Sequence, residues 1–138
     1  MAHILVVDDE RDVVTLIRFL LEKDTHKVTE AYNGADALAK LGVEPASDAG
    51  VAPNLIILDV MMPVMDGYTV CSKLAANKKT SSIPVLILTA KGATRDLFSL
   101  SPNVAAHIDK PFDPKHLREL VAGMLNPKLP AEEKEDKK

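Results

Sequence analysis

Short runs of aliphatic residues recur along the chain, separated by stretches with a different periodicity. They occupy residues 3–7, 55–58, 85–88 and 104–108. Runs this short and this apolar are typical of strands in a parallel sheet that is buried on both faces. A less apolar segment, Lys27 to Ala31, indicates a further short strand after the first run. The pattern therefore predicts five strands.

Between these strands the apolar residues follow a helical period. After Asp9 they fall at spacings that make one face of an amphipathic helix, which Asp8 or Asp9 can cap. Further helices are predicted over residues 35–41, over 68–76 with Asp66 as the cap, and from Pro114 onward with Asp113 as the cap. Strands that alternate with helices predict an α/β fold, a doubly wound parallel sheet with helices on both faces.

Three segments give weaker patterns. Residues 42–54 contain Pro, Gly, Ser and Asp and predict an irregular surface loop. Residues 92–103 predict a short helix that Pro102 ends. From Asn126 onward the chain is polar and rich in Pro and charge. We therefore expect one domain over 1–125, followed over 126–138 by a disordered tail or the start of a linker.

Five polar residues follow the apolar runs, where open α/β sheets bind ligands: Asp8, Asp9, Asp59, Thr89 and Lys110. Three carboxylates at one edge repel one another unless a positive charge neutralises them, and all-oxygen ligation suits Mg²⁺. A lysine and a hydroxyl beside them suit the oxygens of a phosphoryl group. The set fits phosphoryl transfer onto an aspartate.

Each of these residues also has a purely structural interpretation. Paired aspartates often cap a helix, and a single aspartate after a strand is most often a turn residue. A threonine in a strand or a lysine before a proline is common without any function. Only the order of the residues and their shared position after apolar runs favour a functional site.

The motifs that carry these residues resemble one known family. They are Ile4-Leu5-Val6-Val7-Asp8-Asp9-Glu10, Leu58-Asp59-Val60-Met61-Met62-Pro63-Val64-Met65-Asp66-Gly67, Pro84-Val85-Leu86-Ile87-Leu88-Thr89-Ala90 and Lys110-Pro111-Phe112. The chain resembles the receiver domain of two-component response regulators, including the chemotaxis-type receivers, over roughly residues 3–125. The resemblance implies a flavodoxin-like fold with strand order 2-1-3-4-5.

The resemblance also implies the chemistry. Asp59 would accept a phosphoryl group from a phosphohistidine of a histidine kinase or histidine phosphotransfer protein. Asp9, Asp59 and the backbone carbonyl of Met61 would bind Mg²⁺ directly, and Asp8 would reach it through water. Thr89 and Lys110 would contact the phosphoryl group, and the bond between Lys110 and Pro111 would be cis. Phosphorylation would shift a surface formed by the segment 92–103, strand five and the last helix, which a downstream protein then binds.

The chain departs from the family pattern at three positions that bear on signalling. His107 stands where the family usually has Tyr or Phe, and its ring is polar and titrates near neutrality as a residue type. We expect the pair Thr89 and His107 to act as the switch, with His107 partly outward and the switch sensitive to pH. Met61 and Lys91 lie two residues beyond Asp59 and Thr89, where we expect them to prolong the phosphorylated state.

Composition narrows the function classes. The net charge of −3 gives no basic field, so we expect no nucleic-acid binding by this chain alone. The single cysteine, Cys71, and the lack of a leader or a long apolar run favour a cytoplasmic protein without membrane association. We expect a monomer or weak dimer that is not an enzyme, standing alone or as part of a longer multidomain regulator.

Two other functions fit the residue pattern less well than a receiver does. An aspartyl phosphatase of the haloacid dehalogenase type needs a second Asp two residues after the nucleophile, and Met61 occupies that position after Asp59. A flavodoxin-like cofactor protein needs a loop that cradles phosphate after the first strand, and the acidic run at residues 8–10 does not supply one.

Overall fold

The computed structural model describes residues 2–62, 65–90 and 102–126, with the side chain of Ala90 excepted. The strands, in chain order, are β1 (His3–Val7), β2 (Lys27–Ala31), β3 (Leu55–Asp59), β4 (Val85–Ala90) and β5 (Val104–Lys110). The helices of the described residues are α1 (Arg11–Lys23), α2 (Gly34–Lys40), α3 (Gly67–Ala75) and α4 (Pro114–Leu125). Every strand predicted from the sequence is present, and β4 and β5 each run two residues further than their apolar runs.

The five strands form a single parallel sheet in the order β2-β1-β3-β4-β5. This confirms the predicted flavodoxin-like topology. The central strand β3 is buried along its whole length, which explains why its sequence is a continuous apolar run rather than an alternating one. Since all five strands are parallel, their carboxyl ends lie at the same edge of the sheet.

An apolar layer lies on each face of the sheet, where the inner faces of the helices pack against the strands. Leu38 of α2 and Leu74 of α3 belong to one layer, with Leu58 of β3. Ile17 of α1 and Leu117 of α4 belong to the other layer. All five of these side chains are fully buried. The sheet is therefore doubly wound, as the alternation of elements predicted.

Helix starts confirm some of the predicted caps and correct another. Asp66 caps α3, and its Oδ1 accepts the backbone N–H of Thr69 at 2.9 Å. Pro114 is the first residue of α4 after Asp113, whose side chain makes no capping hydrogen bond. The cap of α1 was predicted at Asp8 or Asp9 but is Glu10, also without a side-chain capping bond. Asp8 instead accepts the Glu10 N–H at 2.9 Å, so this carboxylate is already committed before the helix begins.

The long connection over residues 42–54 is irregular, as predicted, but it is tied to the rest of the domain. Its chain turns at Gly42, which has a φ of +74°, a conformation that favours glycine. Val43 and Val51 pack against the apolar layer of α2 and α3. The Lys79 ammonium donates to the carbonyl oxygens of Gly42 and Ser47, which holds the loop against the segment that follows α3.

Several expectations fall outside the described residues. These are the helix expected within 92–101, the position of Lys91, and the tail from 127 onward. Pro102 and Asn103 form a turn immediately before β5. None of the helices within the described ranges has the length and apolar character that a membrane crossing requires.

Candidate functional site: an acidic cluster at the carboxyl edge of the sheet

The predicted site residues lie at the carboxyl edge of the sheet, because each is at or just beyond the end of a parallel strand. Asp8 and Asp9 come directly after β1, and Asp59 is the last residue of β3. Thr89 lies near the end of β4, and Lys110 is the last residue of β5. Strands β1, β3 and β4 are neighbours in the sheet, and β5 lies at its edge. The strand register therefore delivers the whole set to a single location.

The three carboxylates converge. Asp8, Asp9 and Asp59 each offer an oxygen atom, and these oxygens all lie within 4.8 Å of one another. Asp8 and Asp59 are buried, whereas Asp9 is exposed. The cluster thus combines two buried carboxylates with an exposed one at the edge of the sheet.

Lys110 supplies the positive charge of the cluster. Its Nζ lies 2.7 Å from Asp8 Oδ2, 3.0 Å from Glu10 Oε1 and 3.4 Å from Asp59 Oδ2. The contact with Glu10 was not predicted, because the sequence presents that residue only as part of an acidic run at the start of α1. The ammonium thus bridges the carboxylates that follow β1 and the one that ends β3.

Burial and neighbouring charges shift the pKa values of Asp8 and Lys110. Burial raises the pKa of Asp8 to about 6, although the Lys110 ammonium and the Glu10 N–H both favour its charged form. Burial alone would lower the pKa of Lys110, but the carboxylates of Asp8 and Glu10 outweigh it and raise that pKa. Lys110 therefore stays charged, and its ammonium supplies positive charge that favours the ionised form of Asp8.

Backbone groups fix the orientation of Asp59. The Met61 N–H donates to Asp59 Oδ1 at 3.0 Å, while the Met61 side chain is 66% exposed beside it. The chain then returns to pair Gly67 N–H with the Val60 carbonyl at 3.1 Å. A Cβ at Gly67 would lie 2.5 Å from the Val60 Cα, so only glycine permits this close approach.

Thr89 is near the cluster, but its hydroxyl is engaged elsewhere. Thr89 Oγ1 donates to Asp109 Oδ1 at 2.6 Å. Asp109 was not singled out from the sequence, since only the register of β4 with β5 makes it the partner of Thr89. His107, two residues earlier on β5, is half-buried and pairs with Ile87 in the ladder.

The residues present fit a divalent cation with oxygen ligands. Asp8 Oδ2 is buried and, apart from its ion pair with Lys110, accepts no hydrogen bond from the described residues. Asp9 is exposed, which leaves room for water on that side of the cluster. Hard oxygen ligands of this kind, with water completing the shell, are those that Mg²⁺ prefers. The bond between Lys110 and Pro111 is cis, as the resemblance implies.

Comparison with known proteins agrees with this geometry. The chain is 38% identical over 123 residues to the alkaline phosphatase synthesis transcriptional regulatory protein PhoP of Bacillus subtilis, which covers 88% of this chain and 48% of that protein. It is 34% identical over 126 residues to the DNA-binding dual master transcriptional regulator RpaA of Synechocystis, covering 91% of this chain and 49% of that protein. The chain spans about half the length of the curated relatives it matches.

Solved structures share the fold. The signal receiver domain of a signal transduction histidine kinase from Syntrophus aciditrophicus is similar with a TM-score of 0.78 and 30% identity, covering 94% of this chain and 93% of that one. The receiver domain of sensor histidine kinase PA1611 from Pseudomonas aeruginosa, with a magnesium ion coordinated in its active site cleft, has a TM-score of 0.77 at 22% identity, covering 91% of this chain and 98% of that one.

A family model described as the response regulator receiver domain matches residues 4–122. That range contains all of the carboxylates, the threonine and the lysine described above. This match agrees with the sheet order and with the acidic cluster at the edge of the sheet. The chain belongs to the response regulator receiver domain family, whose members are signalling domains of two-component systems.

Proposed function

We propose that this domain is a phosphorylation-controlled switch whose phosphoacceptor is Asp59. The observation that carries the proposal is the convergence of three carboxylates within 4.8 Å around a lysine at the edge of the sheet. Asp59 is buried at the end of β3, and the Met61 N–H fixes its orientation. Asp8 is also buried and accepts the Glu10 N–H, so the position of Asp59 in the receiver family's motif is what favours Asp59 over Asp8. A fixed and partly shielded carboxylate is suited to act as a nucleophile.

The donor would be a phosphohistidine on a histidine kinase or a histidine phosphotransfer protein. An Asp59 carboxylate oxygen forms a bond to phosphorus while the bond between phosphorus and the donor's imidazole nitrogen breaks. The electron pair of the broken bond leaves with the imidazole. Lys110 already lies 3.4 Å from Asp59 and would follow the phosphoryl oxygens as their charge arrives, and the Thr89 hydroxyl would donate to one of them.

Asp8, Asp9, Asp59 and the carbonyl of Met61 would hold a Mg²⁺ ion, which supplies, when bound, positive charge that offsets the carboxylates and the phosphoryl oxygens. The acidic cluster supports this assignment. Asp8 would act through water and the other two carboxylates directly. A magnesium ion in the cleft of the PA1611 receiver domain, which shares this fold, is in line with it.

The output would be a change at the surface formed by β5, α4 and the segment before β5. Thr89 and His107 would be the switch residues, because both lie on the strands that join the acidic cluster to this surface. Met61 and Lys91 would modulate how long the phosphoryl group persists. A downstream protein would bind the changed surface. We propose a cytoplasmic monomer or weak dimer that binds neither membrane nor nucleic acid by itself.

The alternative functions receive less support. The family match over residues 4–122 does not favour an aspartyl phosphatase, and Met61 stands where that chemistry needs a second aspartate. Because the curated relatives are about twice as long, the chain also fits the receiver part of a longer regulator. The transcriptional role in the names of those relatives belongs to the whole proteins.

Incubation with a small phosphodonor such as acetyl phosphate tests the proposal. With Mg²⁺, intact-mass spectrometry should show the addition of one phosphoryl group, which chelation of the metal abolishes. Asp59→Asn should remove the modification. Asp66→Asn is the matched control, because it changes a nearby aspartate whose capping bond to Thr69 an asparagine can replace. Phosphorylation that persists in Asp59→Asn at the native rate would refute the assignment.

A further inference from the structure

The hydroxyl of Thr89 has a single proton, and in this structure that proton is committed to Asp109. The distance from Thr89 Oγ1 to Asp109 Oδ1 is 2.6 Å. Thr89 is buried, with 3% of its surface exposed, whereas Asp109 is exposed. A hydroxyl that donates to a carboxylate at this distance makes a strong, charge-assisted bond. The described residues thus show a threonine that is held, not one that is free to rotate.

The direction of this bond bears on the switch. Strand β4 lies between β3 and β5, and Asp59 ends β3 while Asp109 belongs to β5. Thr89 and Asp109 are direct partners in the ladder, so their side chains extend to the same face of the sheet. Donation to Asp109 therefore takes the hydroxyl proton toward β5, on the side of β4 opposite to the strand that carries Asp59.

Lys110, the next residue along β5, is not part of this contact. Its ammonium pairs with Asp8, Glu10 and Asp59. Adjacent residues of a strand point to opposite faces of the sheet. Strand β5 can therefore place Asp109 against Thr89 and Lys110 against the carboxylates. A change at Asp109 can thus alter Thr89 while the ion pairs of Lys110 are retained.

We propose that Asp109 is a positioning residue that holds Thr89 in the unphosphorylated conformation by competing with the phosphoryl group for the hydroxyl proton. The inference rests on the function proposed above, in which Thr89 donates to a phosphoryl oxygen. Because the proton cannot serve both acceptors, the bond to Asp109 must break before Thr89 can contact the phosphoryl group. Asp109 therefore disfavours the phosphorylated form and sets part of the threshold for switching.

Variants at residue 109 separate this role from simple charge repulsion. Asp109→Ala removes both the acceptor and the charge, and Asp109→Asn removes the charge but keeps an oxygen that accepts a weaker hydrogen bond. We expect Asp109→Ala to raise the rate of phosphorylation by acetyl phosphate about tenfold and Asp109→Asn by clearly less. Equal acceleration in the two variants would show charge repulsion alone and would overturn the proposal.

A double-mutant cycle tests whether the effect passes through Thr89. In the Thr89→Ala background no hydroxyl remains to be held, so Asp109→Ala should change the rate by less than about twofold. Asp113→Ala is the matched control, since it removes an exposed aspartate close in sequence whose side chain makes no capping bond. An undiminished effect of Asp109→Ala in the Thr89→Ala background would overturn the proposal.

A measurement without metal or phosphodonor separates failure of this inference from failure of the proposed function. In the chelated protein, the NMR signals of the Thr89 methyl group should shift in Asp109→Ala and stay in place in Asp113→Ala. Unchanged signals would overturn the positioning role even if Asp59 is phosphorylated. Absence of phosphorylation in every variant would overturn the proposed function and this inference with it, whatever the methyl signals show.

Discussion

Replacing Asp8 with asparagine should make the metal-free domain more stable, although it removes an ion pair. The reason lies in the cost of burying the carboxylate. Asp8 is fully buried, and burial raises its pKa from 3.8 to about 6 even though Lys110 lies 2.7 Å away. The ionised form is thus disfavoured despite its partner. Asparagine keeps an oxygen to accept the Glu10 N–H and removes the charge.

The size and sign of the effect follow from the pKa shift. A raised pKa in the folded state means that the folded protein binds more protons than the unfolded chain between pH 3.8 and about 6. Stability is therefore lost as the pH rises through this window. A shift of roughly two pH units corresponds to about 3 kcal/mol at most, and relaxation around the pair lowers this to about 1–2 kcal/mol.

Urea denaturation in the presence of a chelator measures the difference directly. At about pH 7.5, Asp8→Asn should exceed the native chain in free energy of unfolding, and the gap should close toward about pH 4 as Asp8 becomes protonated. Asp12→Asn, an exposed aspartate in the first turn of α1, should differ from native by less than about 1 kcal/mol. Adding Mg²⁺ should stabilise the native chain and do so much less for Asp8→Asn.

Two results would refute this reasoning. One is a loss of stability in chelated Asp8→Asn at neutral pH, which would mean that the ion pair with Lys110 contributes more than burial costs. The other is a gain that does not depend on pH, because the titration of Asp8 would then not be its source.

Three further outcomes are expected. Met61→Asn should shorten the lifetime of the phosphorylated form by about threefold or more, since we expect the exposed methionine beside Asp59 to hinder the approach of water; faster decay of the native chain contradicts this. The activation equilibrium, followed by NMR with a phosphoryl mimic, should differ between the native chain and His107→Tyr, because His107 lies half-buried on the strand next to Thr89; an unchanged equilibrium rejects its role as a switch residue. Lys79→Met should lower the free energy of unfolding by about 0.5–1.5 kcal/mol and expose residues 42–54 to protease, whereas Lys78→Met should do neither.

Much of the fold could be predicted because it depends on local pattern. The run from Leu55 to Leu58 is apolar at every position, and only a strand covered on both faces explains this in so short a segment. Asp66 and Pro114 mark the starts of α3 and α4 through rules that act within one turn. The cap of α1 lies one or two residues later than predicted, because the Asp8 carboxylate pairs with Lys110 and accepts the Glu10 N–H instead of capping the helix.

The composition of the site was predicted, but its pairings were not. Sequence order shows that a lysine and three aspartates reach one edge of the sheet, since parallel strands end together. It does not show that Lys110 also pairs with Glu10, one hundred positions away, because that depends on how α1 leaves the sheet. The same holds for the loop over residues 42–54. Its composition predicts that it is irregular, but only the structure shows that Lys79 holds it in place.

The register of β4 with β5 decides which residue is the partner of Thr89. A shift between Val85 and Leu86 separates the first ladder pair from the rest, so that Thr89 faces Asp109 and Ala90 faces Lys110. Without that shift the partner of Thr89 would be a different residue, and the hydroxyl would have a different acceptor. Sequence motifs identify Thr89 and Lys110, but they do not reveal a β-bulge that changes how two strands pair. The chemistry proposed for Asp59 thus depends on residues that sequence motifs identify, whereas the proposed resting position of Thr89 depends on a single irregularity of the ladder.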